Sequence, residues 1–117
     1  MSDKQTLFSI LDTAIERHCS DVYFLSHQKY YMIRFYVNGY YVDSCKLDFE
    51  CVNGYINYFK FQTNMNISER RRPQLGSWQY CYQKHLIYCR FSSVGDFCEN
   101  ETLVIRLIYP LSKFDSQ

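Results

Sequence analysis

The sequence predicts an α+β domain: an antiparallel sheet with an N-terminal helix and one further helix before an arginine-rich connector. Three observations predict this class. Apolar residues first recur at helical spacing, they then alternate along several short segments, and an Asn-Gly pair marks a tight hairpin. The 117 residues, 19% of them aromatic, suit one strand-rich domain, which we place at residues 1–109 with the start of a linker at 110–117.

The first predicted element is a helix near the N-terminus. Ser2 and Gln5 form a capping-box pattern. Five apolar residues then recur at i, i+3, i+4, i+7 and i+8, namely Leu7, Ile10, Leu11, Ala14 and Ile15. We expect this stripe to face the core and the helix to end near Cys19. His18 is isolated from any second ligand at metal-binding spacing, so we interpret it as a solvated residue of the last turn.

Alternation begins after this helix and indicates strands. Residues 21–24 alternate, and residues 31–37 place their apolar side chains on one face with Arg34 on the other. Asn38-Gly39 favours a two-residue hairpin, because both residues tolerate positive φ. Residues 40–45 should therefore return antiparallel to the preceding strand, forming a meander.

A second helix and a charged connector follow. Asp48 is placed to cap a helix with the buried stripe Phe49, Val52, Ile56 and Phe59, and Asn64 is suited to closing it. The connector, residues 66–76, reads N-I-S-E-R-R-R-P-Q-L-G. Pro73 favours an extended conformation for Arg72. Adjacent guanidinium groups suit phosphate or carboxylate binding, whereas a charge run is commonly only a solvated loop, and composition leaves both open.

The last strands are predicted at 78–82, 86–91 and 102–109, with a tight turn at Lys84-His85 and a loop through Gly95. Three arginines lie within these and earlier strands whose other residues are largely apolar, namely Arg34, Arg90 and Arg106. In the simplest interpretation, such arginines line a solvated sheet face.

Composition excludes several classes of function. The net charge of +1 gives no overall basic bias, and no stretch approaches the roughly 18 apolar residues of a membrane span. The six cysteines form no C-x-x-C pair and no secretion signal precedes them, so we interpret them as reduced thiols of a cytosolic protein. The phosphate-binding pattern G-x-x-x-x-G-K-[ST] is absent, as is a convincing nucleophile–base pair. No catalysis or metal site is expected in this chain.

Residues 56–76, I-N-Y-F-K-F-Q-T-N-M-N-I-S-E-R-R-R-P-Q-L-G, resemble a segment of the secretion-traffic ATPases of type II secretion, type IV pilus and competence-pseudopilus systems. That family commonly reads L-V-S-R-I-K-V-L-A-G-L-D-I-A-E-R-R-x-P-Q-D-G-R before its motor domain. Residues 14–24 resemble its A-I-x-x-G-A-S-D-I-H-I, and residues 34–39 its R-x-R-V-D-G. Residues 88–93 resemble D-L-R-V-S-T and residues 101–108 resemble E-K-V-V-L-R-L-L. These five motifs in order are similar to the amino-terminal domain of the family, and the short N-terminus most resembles that of its competence-pseudopilus assembly ATPases.

The resemblance implies a PAS-like domain joined by a flexible linker to a P-loop motor that binds ATP and Mg²⁺ in the parent protein. It further implies a homohexamer in which this domain packs on the neighbouring subunit's motor and helps to sense nucleotide. The assembled system would be cytoplasmic and peripheral to the inner face of the cell membrane, with an inner-membrane platform protein as partner. Direct DNA binding is not expected.

By resemblance, the nucleotide-sensing or subunit-interface residues are Arg34, Glu69, Arg70, Arg71, Arg72, Pro73, Gln74, Gly76, Arg90 and Arg106. The chain departs from the family where Tyr36 replaces the second arginine of R-x-R and Leu75 replaces the usual aspartate. We therefore expect mainly a coupling role between subunits, with Arg34 as the first candidate for a phosphate contact.

Two other functions stay open from the residues. A single-strand nucleic-acid-binding module would use Arg70, Arg71 and Arg72 for phosphates and exposed tyrosines for base stacking. The near-zero net charge counts against it, because such sites normally show a broad basic stripe. A ligand-sensing module of the PAS type would need an internal cavity, which the many aromatic side chains are expected to fill.

Overall fold

The computed structural model describes residues 3–63, 65–66, 68–95 and 100–110. Within them the element order is α1 (Asp3–Glu16), β1 (Asp21–Ser26), β2 (Tyr31–Val37), β3 (Tyr40–Leu47), α2 (Phe49–Gln62), β4 (Gln74–Tyr82), β5 (His85–Gly95) and β6 (Glu101–Ile108). All six strands pair antiparallel in the order β3-β2-β1-β6-β5-β4. The predicted α+β class with an antiparallel sheet and two helices is confirmed.

Both helices pack on one face of the sheet. All five residues of the predicted α1 stripe are buried, and β1, β2, β5 and β6 contribute alternate side chains to the same core. Aromatic side chains cover this core near β4, where the ring of Phe8 in α1 stacks on the rings of Trp78 and Tyr80. Each fully buried aromatic or aliphatic side chain contributes about 1.5–3 kcal/mol, so this layer stabilises the sheet.

The first hairpin confirms its prediction. Asn38 and Gly39 have φ values of 52° and 85°, and Val37 pairs directly with Tyr40. The second hairpin differs, because its turn residues are Gln83 and Lys84, with φ of 48° and 69°, rather than Lys84-His85. Neither candidate turn contains glycine, and alternation is preserved by either register. The pairing of β4 with β5 along their full length therefore selects Gln83-Lys84 over Lys84-His85 as the turn.

The strands around this hairpin are longer than predicted. β4 begins at Gln74, four positions before the predicted start, and β5 continues to Gly95. The predicted loop through Gly95 is therefore wrong, since this residue ends a strand. A Cβ there would lie 1.7 Å from the carbonyl oxygen of Arg70, so only glycine lets the connector lie this close to β5.

Helix α2 begins as predicted, because the Asp48 side chain accepts a hydrogen bond from the Cys51 N–H at 2.8 Å. It ends at Gln62 with Thr63 as the C-cap. The predicted closing residue Asn64 and the capping-box residue Ser2 lie outside the described residues, as does the predicted linker from 111 onward. The five cysteines that the structure describes form no disulfide, and Cys98 lies outside the described residues. No described helix is long and apolar enough to cross a membrane.

Candidate functional site

The candidate site begins on the sheet face that the two helices leave uncovered. Strand register aligns one transverse row there, running Tyr41, Tyr36, Asp21, Arg106, Arg90 and Ser77. The next row runs Asp43, Arg34, Tyr23, Val104, Ser92 and Leu75. The three strand arginines thus share one face, which we call the open face, as alternation predicts.

Arg106 is held on the open face by a nearly buried carboxylate. Its Nε lies 3.1 Å from Asp21 Oδ1, and the Ser20 hydroxyl donates to Asp21 Oδ2 at 2.9 Å. The side chain of Asp21 is 8% exposed whereas that of Arg106 is 67% exposed. The Ser-Asp pair of the sequence motif therefore orients an arginine whose remaining N–H groups face solvent.

Arg90 lies directly opposite Arg106 on the neighbouring strand. It is exposed and makes no ion pair with any residue that the structure describes. Like charges directly opposite each other destabilise an antiparallel pair. The contact between these two arginines gives the sheet no stability, and it leaves two guanidinium groups side by side on an exposed face, a chemistry suited to phosphate or carboxylate groups.

Arg34 is paired within the domain. Its Nε donates to Asp43 Oδ1 at 2.5 Å, and this hydrogen bond is the main reason that the pKa of Arg34 is raised. Tyr36, in the position of the motif's second arginine, packs its ring on Tyr41 at 4.7 Å between centroids. Arg34 and Arg106 are therefore each partly neutralised by one carboxylate of the domain, and Arg90, with no ion pair to any described residue, is better placed for an external anion.

The connector is a closed loop held by its own polar side chains. Glu69 Oε2 accepts the N–H groups of Arg71 and Arg72, each at 3.0 Å. The Arg72 N–H and then the Arg71 N–H lower the pKa of Glu69. The Gln74 amide nitrogen donates to the carbonyls of Asn66 and Glu69 at 3.1 and 3.0 Å, and its oxygen accepts the Asn66 N–H. The connector backbone is thereby ordered while the side chains of Arg71 and Arg72 stay exposed.

Glycine and arginine residues of the connector meet the rest of the domain on the helix side of the sheet. A Cβ at Gly76 would lie 2.8 Å from side-chain atoms of both Met65 and Thr63. Arg70 Nη1 lies 3.7 Å from Oε1 of the buried Glu101. Pro73 is exposed beside them.

The ten predicted residues therefore occupy two places. Arg34, Arg90 and Arg106 lie on the open face, and the seven connector residues lie at the sheet end against α2 and the start of β6. Sequence reasoning missed Lys60 and Glu101, which pair beneath the connector. Both stand within the segments that carry the resemblance, which was the available signal. No group of three or more metal-ligating side chains occurs among the described residues.

The family described as "Type II/IV secretion system protein" matches residues 4–115. The chain therefore belongs to this family, which confirms the resemblance of its motifs. It is 37% identical over 103 residues to Competence protein ComGA of Streptococcus pneumoniae (strain ATCC BAA-255 / R6), an overlap that covers 86% of this chain and 32% of that protein. The chain thus spans about a third of the length of this curated relative.

Proposed function

We propose that this chain is the amino-terminal coupling domain of a hexameric ATPase that powers assembly of a competence pseudopilus for DNA uptake, or of a related secretion or pilus system. In this proposal the open face docks on the motor domain of the neighbouring subunit and helps to sense its nucleotide. ATP and Mg²⁺ bind in the motor domain, and the chemistry is performed there. The assembly lies in the cytoplasm against the inner face of the membrane, where it meets a platform protein.

The observation that carries this proposal is the cationic pair of Arg90 and Arg106 on an uncovered sheet face. Asp21 compensates the charge of Arg106, whereas no described carboxylate compensates that of Arg90, so an external anionic group would supply the charge that this face lacks. Phosphate oxygens of a nucleotide held at a subunit boundary, or carboxylates around them, have this charge. The similarity to a competence protein supports the choice of system.

The test uses the intact protein that contains this domain. Arg90→Glu places a carboxylate opposite Arg106, where it forms a cross-strand pair worth about 0.2–1 kcal/mol in stability. We expect unchanged or slightly higher thermal stability together with a fall in ATP turnover and a weakening of ATP affinity by about 5- to 150-fold, the usual range of coupling between binding sites. Charge reversal at Arg34 should also reduce turnover, by less, because Asp43 already neutralises part of its charge.

Lys29→Glu is the matched control, since Lys29 is exposed in the loop between β1 and β2, away from the arginine rows. Its turnover should equal that of the wild type. If Arg90→Glu folds and turns over ATP at the same rate as Lys29→Glu, the coupling role of the open face is refuted.

The nucleic-acid-binding alternative stays a prediction with its own measurement. Its two elements lie apart, because Arg70, Arg71 and Arg72 are in the connector and Tyr41, with 61% exposure, is on the open face. A fluorescence anisotropy titration with a single-stranded oligonucleotide at two salt concentrations separates the functions. Tight binding that weakens steeply with salt and is lost with these arginines would favour the alternative.

A further inference from the structure

Beneath the connector lies a buried ion pair that joins α2 to β6. Lys60, in the last turn of α2, and Glu101, the first residue of β6, each have side chains that are 1% exposed. Lys60 Nζ lies 2.6 Å from Glu101 Oε2. The carbonyl of Glu101 accepts a hydrogen bond from the Tyr31 hydroxyl at 2.5 Å, so β2 also contacts this junction.

The same two side chains hold the connector. Lys60 Nζ donates to the Glu69 carbonyl at 2.6 Å, and Arg70 Nη1 lies 3.7 Å from Glu101 Oε1. One residue further on, the Arg71 carbonyl accepts the Gly95 N–H at 3.3 Å. Three consecutive connector residues are thus attached to the domain by a buried cation, a buried carboxylate and a strand end.

Stability alone does not account for this pair. Removing two charges from water is expensive, and a buried ion pair is commonly no more stabilising than apolar residues of the same volume. An apolar pair, however, would offer no N–H to the Glu69 carbonyl and no charge to Arg70. The feature that requires these ions is their contact with the connector.

We propose that Lys60 and Glu101 are positioning residues that hold the connector backbone so that the side chains of Arg71 and Arg72 project as a fixed pair toward an anionic surface of the adjacent motor domain. This inference rests on the proposed coupling function for the identity of that surface. The hold on the connector is a property of the domain itself. The hold on the connector and its effect on the motor domain are therefore measured separately.

The experiment replaces the ion pair with apolar residues in the intact protein, as Lys60→Met with Glu101→Leu. We expect thermal stability close to that of the wild type, because the buried volume is kept, both buried charges are removed together, and Arg70, which loses its carboxylate, is partly exposed to water. The connector amides of Arg71 and Arg72 should exchange hydrogen at least about tenfold faster, while amides of β1 and β6 stay protected. ATP turnover should fall to the level of a variant carrying Arg71→Gln and Arg72→Gln.

Glu16→Gln with Tyr82→Phe is the matched control, since it removes a surface contact between α1 and β4 at 3.1 Å and should alter neither readout. Unchanged connector exchange in the apolar variant would overturn the proposal. Faster exchange with unchanged turnover would overturn the positioning role while the Arg90→Glu test still decides the proposed function. If the apolar variant does not fold, Arg70→Gln is measured in the same way, because it removes the connector's contact with Glu101 Oε1 and leaves the buried Lys60–Glu101 pair intact. Faster connector exchange in it supports the proposal, and unchanged exchange overturns it.

Discussion

The approach of the connector to the end of β5 makes a sharp prediction for Gly95→Ala. The new Cβ would lie 1.7 Å from the Arg70 carbonyl oxygen, 2.8 Å from its carbonyl carbon and 3.0 Å from Arg71 Cα. A carbon–oxygen contact settles near 3.3 Å, so the connector would have to withdraw by about 1.6 Å. The obstacle is backbone, which cannot rotate away. Withdrawal would also break the hydrogen bond from the Gly95 N–H to the Arg71 carbonyl.

The cost of this substitution follows from those contacts. Overpacking costs about 1–3 kcal/mol and the lost hydrogen bond about 1 kcal/mol, partly offset by about 0.4–1 kcal/mol from the stiffer unfolded chain. The net loss is about 2 kcal/mol, which lowers Tm by about 8 °C for a chain of this size. Thermal unfolding followed by circular dichroism measures it.

Two glycines in the same chain give the comparison. At Gly54, inside α2, a Cβ would meet nothing within 4 Å, so Gly54→Ala should raise stability by about 0.5–1 kcal/mol. The stability of Gly76→Ala should lie between those of Gly54→Ala and Gly95→Ala. The atoms at 2.8 Å from its Cβ belong to the side chains of Met65 and Thr63, which can move more easily than backbone. A Gly95→Ala chain that is as stable as the wild type would mean that the connector does not lie against β5.

Three further predictions follow from single residues. Asp48→Ala removes the cap of α2 and should lower the free energy of unfolding in urea by about 1 kcal/mol, whereas Asp48→Asn keeps most of it. Phe91→Ala should cost about 3–5 kcal/mol in the same assay, against less than about 1 kcal/mol for Tyr88→Ala on the exposed side of β5. Burial raises the pKa of Cys89 from 9.0 to about 12, so at pH 8 iodoacetamide should modify exposed Cys81 and spare Cys89 until the chain unfolds. Because the folded chain holds that proton more tightly, this contribution to stability is complete below about pH 9 and is lost as the pH rises toward 12, which alkaline titration of Tm detects.

Local patterns predicted most of the elements because their causes are local. Four features each depend on residues close together in the sequence: the α1 stripe, the β2 boundaries, the Asn38-Gly39 hairpin and the Asp48 cap. The errors lie where a local rule allows two outcomes. Alternation cannot choose between two turns that both preserve it, and glycine near a predicted loop is equally suited to a strand end that another segment approaches.

The sequence pointed to the residues of the candidate site but not to their arrangement in the fold. Alternation placed Arg34 away from the core, and the motifs indicated the other arginines. The hairpin register set by Asn38-Gly39 places Arg34 opposite Asp43, so this neutralisation has a local cause, whereas nothing local shows that Arg90 is left without an ion pair to any described residue. The connector arginines were predicted as one group with the strand arginines, whereas the structure places them at the sheet end on the helix side.

By itself the sequence determined where each helix and strand lies, though not all of their bounds, and which side of each strand faces the helices, because side-chain periodicity is a property of the backbone. Only the tertiary structure decided that β1 and β6 are neighbours, which brings Asp21 against Arg106 and Arg106 against Arg90. It likewise decided that Lys60 and Glu101, separated by 41 positions, form a buried ion pair under the connector. Strand order and buried charge pairing depend on how distant segments share one core, and no window of the chain contains that information.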